Sequence, residues 1–189
     1  MPREDEKEVL EEIIDKPMGD DTIKEYLPKC KIILYNELKN YHSMAQILPR
    51  VKSYAIILYM DGPNSGHWCA VMKPNENEYE FFDSYGNGVD GPLKWTTPEL
   101  KKSLEIHAPY LSKLLNDSGK KIIWNKTPFQ GKGGDIATCG RHCCFRIQMM
   151  KNRNMNIHQY TKMMKTVKNK LNKSFDELVG VMVSPEADD

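Results

Sequence analysis

The stretch "ATCGRHCC", residues 137–144, gathers three of the chain's five cysteines and one of its five histidines. Four chemistries suit that composition: a metal knuckle, a disulfide, a reactive thiol, or a sulfur-rich helix packed in a core. Structural zinc sites draw their ligands from paired Cys-x2-4-Cys turns. His142, His67 or Cys69 could join Cys139 and Cys143, but no second pair of that kind exists. A Cys143–Cys144 disulfide inside a helix would be badly strained. Small apolar packing accounts for Cys143 and Cys144. It does not account for Cys139, which follows the glycine-rich "GKGGD" (131–135), precedes Gly140 and opens a helix. Free backbone N–H groups and the positive end of the helix dipole favour a thiolate there.

A thiolate is a nucleophile when a base stands beside it. His42 and His107 lie in helical or loop contexts, His158 near the start of the last helix, and His142 on a different helical face from Cys139. His67 differs, because it opens a predicted strand after a turn, in "SGHWCAV". Sixteen residues later, at the end of the next predicted strand, "FFDSYGN" carries Asp83. Neighbouring antiparallel strands would bring the two side chains together, the carboxylate fixing the tautomer and orientation of the imidazole. The alternatives are a structural histidine and a turn-forming aspartate ahead of Ser84-Tyr85-Gly86.

The elements that must hold these residues are legible from periodicity. "KEVLEEIID" places Val9 with Ile13 and Leu10 with Ile14, an amphipathic helix ended by Pro17. "TIKE" (22–25) has the form of a capping box ahead of the apolar stripe Ile23, Tyr26 and Leu27. Three β-branched or aromatic runs, 53–60, 67–73 and 79–84, are joined by hairpin-length turns at 61–66 and 73–78, so they read as an antiparallel sheet. "ELKKSLEIHAPYLSKLL" returns to helical spacing and "KKIIWN" (120–125) reads as a further strand. Cys139, Cys143, Ile147 and Met150 share one helical face with Thr138 as the cap. A last helix around 157–172 turns Met163, Met164, Val167 and Leu171 inward and its lysines outward. The sum is α+β, a central antiparallel sheet flanked by helices. One domain spans 1–189, with a helical extension over 1–20 and a C-terminal tail over 174–189 whose "SPEADD" is polar and loose.

Composition narrows the setting. At 189 residues and 40% hydrophobic, the chain suits one domain with a proper core. No apolar run approaches the ~18 residues of a membrane span, and the acidic start is unlike a signal peptide. Five cysteines, two of them adjacent, fit a reducing compartment better than a secreted disulfide framework. The net charge of +1 hides an asymmetry. Residues 1–25 hold ten acidic and four basic side chains, whereas residues 141–173 hold nine basic and no acidic ones, Lys162, Lys165 and Lys168 among them. That block reads either as a solvated lysine face or as a dock for a polyanion.

Taken in order, "GHW", "FFDSYG", a Gln and "TCG" at a helix start resemble the adenovirus-type maturation proteases and their relatives, the SUMO-specific proteases. The likeness is closest to the adenain-like proteases of virophages and Polinton-type elements, and it covers roughly residues 20–150. It implies a papain-like core with the catalytic groups in the permuted order His, Asp, Cys. His67 would be the general base, Asp83 its orienter, Cys139 the nucleophile and Gln130 the oxyanion-hole side chain, with Trp68 packing over the site. The backbone N–H of Cys139 would be a second oxyanion donor, a role its helix-start position supports independently.

The resemblance also implies a cysteine endopeptidase that cuts near small residues such as glycine. Its substrates would be capsid and core precursors during virion maturation, in the virion and the host-cell interior. It implies no required cofactor and no metal, and activation by DNA or a peptide. A SUMO or ubiquitin-like modifier protease, or a non-catalytic nucleic-acid-binding module, is the alternative. Two departures stand out: the Gln130–Cys139 loop is long, with Asn125 as a fallback donor, and the family's proline-rich continuation is reduced to "GNGVDGP".

Overall fold

The β-branched and aromatic runs pair in sequence order. In a computed structural model describing residues 4–63 and 65–183, β1 (Lys31–Leu34), β2 (Tyr54–Gly62), β3 (Ser65–Asn75), β4 (Glu78–Phe82) and β5 (Lys121–Trp124) form one five-stranded sheet. The hairpin-length turns make β2, β3 and β4 an antiparallel meander. The outer strands differ from expectation: β1 runs parallel to β2, and β5 parallel to β4. The sheet is therefore mixed rather than antiparallel. A parallel neighbour needs a long crossover, and both outer connections are long enough to supply one.

Strand alternation splits the core into two layers. Ile56, Ala70, Met72 and Phe82 face one layer; Ala55, Ile57, Cys69, Val71 and Phe81 face the other. The second layer is closed by 3-10 turns at Tyr35–Asn40 and Gly91–Trp95 together with α3 (Met44–Ile47) and α5 (Tyr110–Asp117), while α4 (Pro98–Ser103) buries none of its own residues and Leu104 at its end packs there. The helical spacing of 99–115 resolves into two helices, separated between α4 and α5 where Glu105 takes a left-handed conformation (φ 55°) and Pro109 precedes the new start.

The first layer carries α2 (Asp20–Tyr26), α6 (Cys139–Arg153), α7 (Ile157–Leu171) and α8 (Phe175–Met182). From Glu4 on, the expected 1–20 extension is part of this layer. Its helix α1 (Glu4–Asp15) lays Leu10, Ile13 and Ile14 against Gly180 of α8, and Met18 is buried. Residues 174–183 of the expected tail likewise belong to it. Ser174 and Glu177 form a capping box, and Leu178, Val179 and Val183 enter the core. "SPEADD" lies outside the described residues. The capping box at Thr22 does not form, because α2 already begins at Asp20 behind Gly19. Leu171 is 51% exposed rather than inward.

α6 is buried from Gly140 to Ile147, on more than the single face its spacing suggested. The cationic Arg146 at its centre is matched by buried Glu80 of β4, Nε and Nη2 each donating at 2.8 Å, with the guanidinium 5.1 Å over the Tyr160 ring. Arg141 is also interior and donates to the carbonyl of Val183. Two members of the basic block are thus core ion-pair and capping groups, removed from any docking face. Among the described residues no helix is long and apolar enough to cross a membrane.

Candidate active site

At the start of β3 the backbone passes so close to β2 that a side chain on Gly66 would meet the Tyr59 carbonyl at 2.5 Å. Next to it stands His67, and just beyond β4 stands the fully buried Asp83. His67 Nε2 meets Asp83 Oδ1 at 2.5 Å. The carboxylate also accepts from Tyr85 N (3.0 Å), Asn87 N (3.1 Å) and Asn87 Nδ2 (2.7 Å). Asp83 thus does both things its sequence context allowed: it organises the turn that follows and it holds the imidazole.

With Nε2 engaged, Nδ1 is the ring nitrogen left to face the Cys139 thiol, which lines the same cleft. Burial works against a charged His67, yet the hydrogen bonds and charges of Asp83 and Cys139 outweigh it and raise the imidazole to about 9. Burial likewise opposes ionisation of Asp83, and the bonds from His67, Tyr85 and Asn87 reverse that, holding its carboxyl below the usual range. Among the five free cysteines Cys139 alone is not buried. It sits in the first turn of α6, where unpaired backbone N–H groups remain.

Gln130 lines the same cleft as Cys139 and His67, a space of about 630 Å³. Its Oε1 accepts from Ser84 Oγ at 2.7 Å, which fixes the amide's orientation, and one Nε2 hydrogen goes to Ile136 O at 3.2 Å. The second Nε2 hydrogen remains for a ligand. Asn125, the fallback donor, has another job: its side chain bonds the backbone of Asp83. The structure therefore brings Cys139, His67, Asp83 and Gln130 together.

It does not bring Trp68. Alternation along β3 turns that ring to the opposite face from His67, where it is 8% exposed, donates Nε1 to Met18 O at 2.9 Å and packs beneath Gly140. The tryptophan that lines the cleft among the described residues is Trp95. It is 37% exposed, its ring lies edge-on to His67 with centroids 5.2 Å apart, and Tyr85 stacks on the imidazole at 5.0 Å. The available signal was an aromatic placed at the end of "GPLKW", shortly after the aspartate motif.

Thr138 precedes α6 but does not cap it with its side chain, because its hydroxyl donates to Asp176 Oδ1 at 2.6 Å instead. Among the described residues, ligand atoms of His67, Cys69 and Asp83 lie within 4.8 Å of one another. A metal there would have to displace the His67–Asp83 bond and deprotonate Cys69, whose thiol burial pushes well above its ordinary range. On α7, Lys162 and Lys165 line a separate groove of about 870 Å³ with Lys126, His158 and Trp124. Lys168 is not part of that lining; its ammonium lies 4.7 Å over the Phe175 ring.

No model of a known protein family matches the chain. Among solved structures it is similar to the crystal structure of the selenomethionine ASFV pS273R protease, with a TM-score of 0.42 and 15% identity over 73% of this chain. The chain spans 60% of the length of that protease. It is also similar to the central domain of the uncharacterized Lpg1148 protein from Legionella pneumophila, with a TM-score of 0.43 and 20% identity over 90% of this chain and 96% of that one. The uncharacterized V9 protein of Sputnik virophage is 33% identical over 134 residues, 71% of this chain and 74% of V9. By that match the chain belongs to the family of the Sputnik virophage V9 protein.

Proposed function

We propose that the protein is a cysteine endopeptidase, an adenain-like maturation protease with a papain-like site in the permuted order His67, Asp83, Cys139. The observation that carries this reading is one arrangement: a thiol at the start of a buried helix, sharing one cleft with an imidazole whose Nε2 is held 2.5 Å from a buried carboxylate. A structural histidine has no need of an accessible thiol on one side and an open cleft in front of it.

The chemistry follows from the geometry. His67 shares or takes the Cys139 proton, and the sulfur attacks a peptide carbonyl. The free Gln130 N–H and the Cys139 backbone N–H meet the oxyanion, and the imidazolium then protonates the leaving amine. Water releases the acyl group by the reverse use of the same residues. Rings of Tyr85 and Trp95 wall the cleft and favour small residues such as glycine at the scissile bond. Membership in a virophage protein family favours capsid and core precursors as substrates, cleaved inside the virion or host cell, over a ubiquitin-like modifier.

The first test is alkylation of each cysteine at about pH 6, where an ordinary thiol is almost wholly protonated. Fast labelling of Cys139 that collapses in His67→Ala supports the pair; slow labelling of Cys139 that His67→Ala leaves unchanged rejects it. Incubation with capsid precursors and with modifier fusions then separates the two substrate classes. Hydrolysis that persists in Cys139→Ala rejects the mechanism.

A second, additional reading concerns a nucleic-acid strand. The groove on α7 combines Lys126, Lys162 and Lys165 with His158 and the 40% exposed Trp124, and among the described residues no acidic side chain lines it. Cations that track a phosphate backbone beside a ring on which a base can stack suit single-stranded DNA. Activation by a peptide rests on the family resemblance alone.

A further inference from the structure

The loop 131–138 joins the proposed oxyanion donor to the proposed nucleophile, and it is poorly suited to hold a distance by itself. It contains three glycines, and residues 132–135 are exposed. Its two ends are nevertheless fastened, and both to one carboxylate. Asp176 of α8 accepts Gly131 N on Oδ2 at 2.8 Å and Thr138 Oγ1 on Oδ1 at 2.6 Å. His142, one turn into α6, meets the same Oδ1 through Nε2 at 2.9 Å. Asp176 is only 4% exposed, so these bonds are not traded with bulk water.

The space around this carboxylate is fitted to the loop. A side chain on Gly131 would come within 2.9 Å of Ile136 Cδ1 and 3.1 Å of Asp176 Oδ2. α8 itself is held by its capping box and by the burial of Leu178 and Val179. A separate backbone bond, Ala137 N to Ile14 O at 2.9 Å, ties the same loop to the last turn of α1.

We propose that Asp176 is a positioning residue: by gripping the residue after Gln130 and the residue before Cys139, it sets the span between oxyanion donor and nucleophile. This rests on the protease reading above. It makes α8 a working part of the site and explains how a long, glycine-rich loop can serve there. A misplacement of about 1 Å in such a pair costs about 10²-fold in rate.

The test compares Asp176→Ala, Asp176→Asn and, as a packing control in the same helix, Leu178→Ala. Hydrogen exchange of the 131–138 amides is measured alongside kcat and KM. In Asp176→Ala the loop amides exchange faster while the sheet amides do not, and kcat falls by about 10²-fold with KM changed by less than about threefold. Asn can still accept from Gly131 N while its amide donates to Thr138 and to neutral His142, so Asp176→Asn stays within about tenfold of wild type. Leu178→Ala lowers the melting temperature and, with the Asp176 carboxylate intact, lowers kcat far less than Asp176→Ala does. A folded Asp176→Ala protein with protected loop amides, or with wild-type kcat, overturns the proposal. Should wild type hydrolyse nothing, the protease reading falls on that result alone. Loop exchange still decides the anchoring: faster in Asp176→Ala upholds it, unchanged overturns it.

Discussion

Asn125 closes a two-bond ring with the backbone of Asp83, accepting its N–H on Oδ1 at 3.0 Å and donating Nδ2 to its carbonyl at 2.6 Å. Asn125 follows directly on β5, so the parallel edge strand reaches across to fix the residue that orients His67. Asn125→Ala leaves a buried donor and acceptor unpaired, at a cost of about 1–3 kcal/mol for each group left without a partner. The expected result is a clear drop in denaturation midpoint together with reduced turnover. Full stability in the variant would mean that water or another group replaces the amide.

The raised His67 and lowered Asp83 make opposite demands on pH. His67 is raised from 6.5 to about 9, so its contribution to stability is fully present below about 6.5 and is lost as pH rises through about 9. Asp83 is lowered, so its contribution is present above its ordinary value of 3.8 and is lost as pH falls through its folded value. Denaturant titrations across that alkaline range should show wild type losing on the order of 3 kcal/mol relative to His67→Ala. The alkaline limb of kcat/KM, set by the same ring, should move to lower pH in Asp83→Asn, where the carboxylate no longer favours the imidazolium. An unmoved limb would assign it to another group.

Much of the site was legible because strand order and helix starts are local signals. "SGHWCAV" and "FFDSYGN" read as adjacent strands, and adjacency is what the His67–Asp83 bond requires. "TCG" behind a glycine-rich loop marked the start of α6. What escaped was non-local. The parallel edges of the sheet depend on crossovers that carry no pairing code of their own. Arg146 looked like part of a cationic face until Glu80, distant in sequence, was placed opposite it. Asp176 sits in "SFDE", whose Ser-x-x-Glu capping box announces a helix but not that its aspartate reaches the nucleophile loop. Trp68 and Trp95 were exchanged for a simpler reason: adjacency to His67 in a strand places a side chain on the opposite face.

That exchange gives a paired test. Trp68 is buried and bonded to Met18, so Trp68→Ala should destabilise the fold by about 3–5 kcal/mol, read by denaturation. Trp95 is partly exposed at the cleft, so Trp95→Ala should leave the melting temperature nearly unchanged and act on KM or on the residue preferred at the scissile bond. The reverse pattern would restore Trp68 to the substrate cleft.

The buried Glu80–Arg146 pair fixes α6, and with it Cys139, against the sheet. Both side chains are fully buried and joined by two bonds at 2.8 Å, and Arg146 Nη1 also donates to Met155 O at 3.1 Å. Desolvating two ions cancels much of their attraction, so the pair is not a large net source of stability, but an orphaned partner is expensive. Glu80→Leu or Arg146→Met alone should cost about 3–5 kcal/mol. The double variant should recover most of that loss, because two apolar groups leave no charge uncompensated. A double-mutant cycle by denaturant titration reads this directly. Additive losses would show that the pair is not coupled and that α6 owes its placement to packing alone.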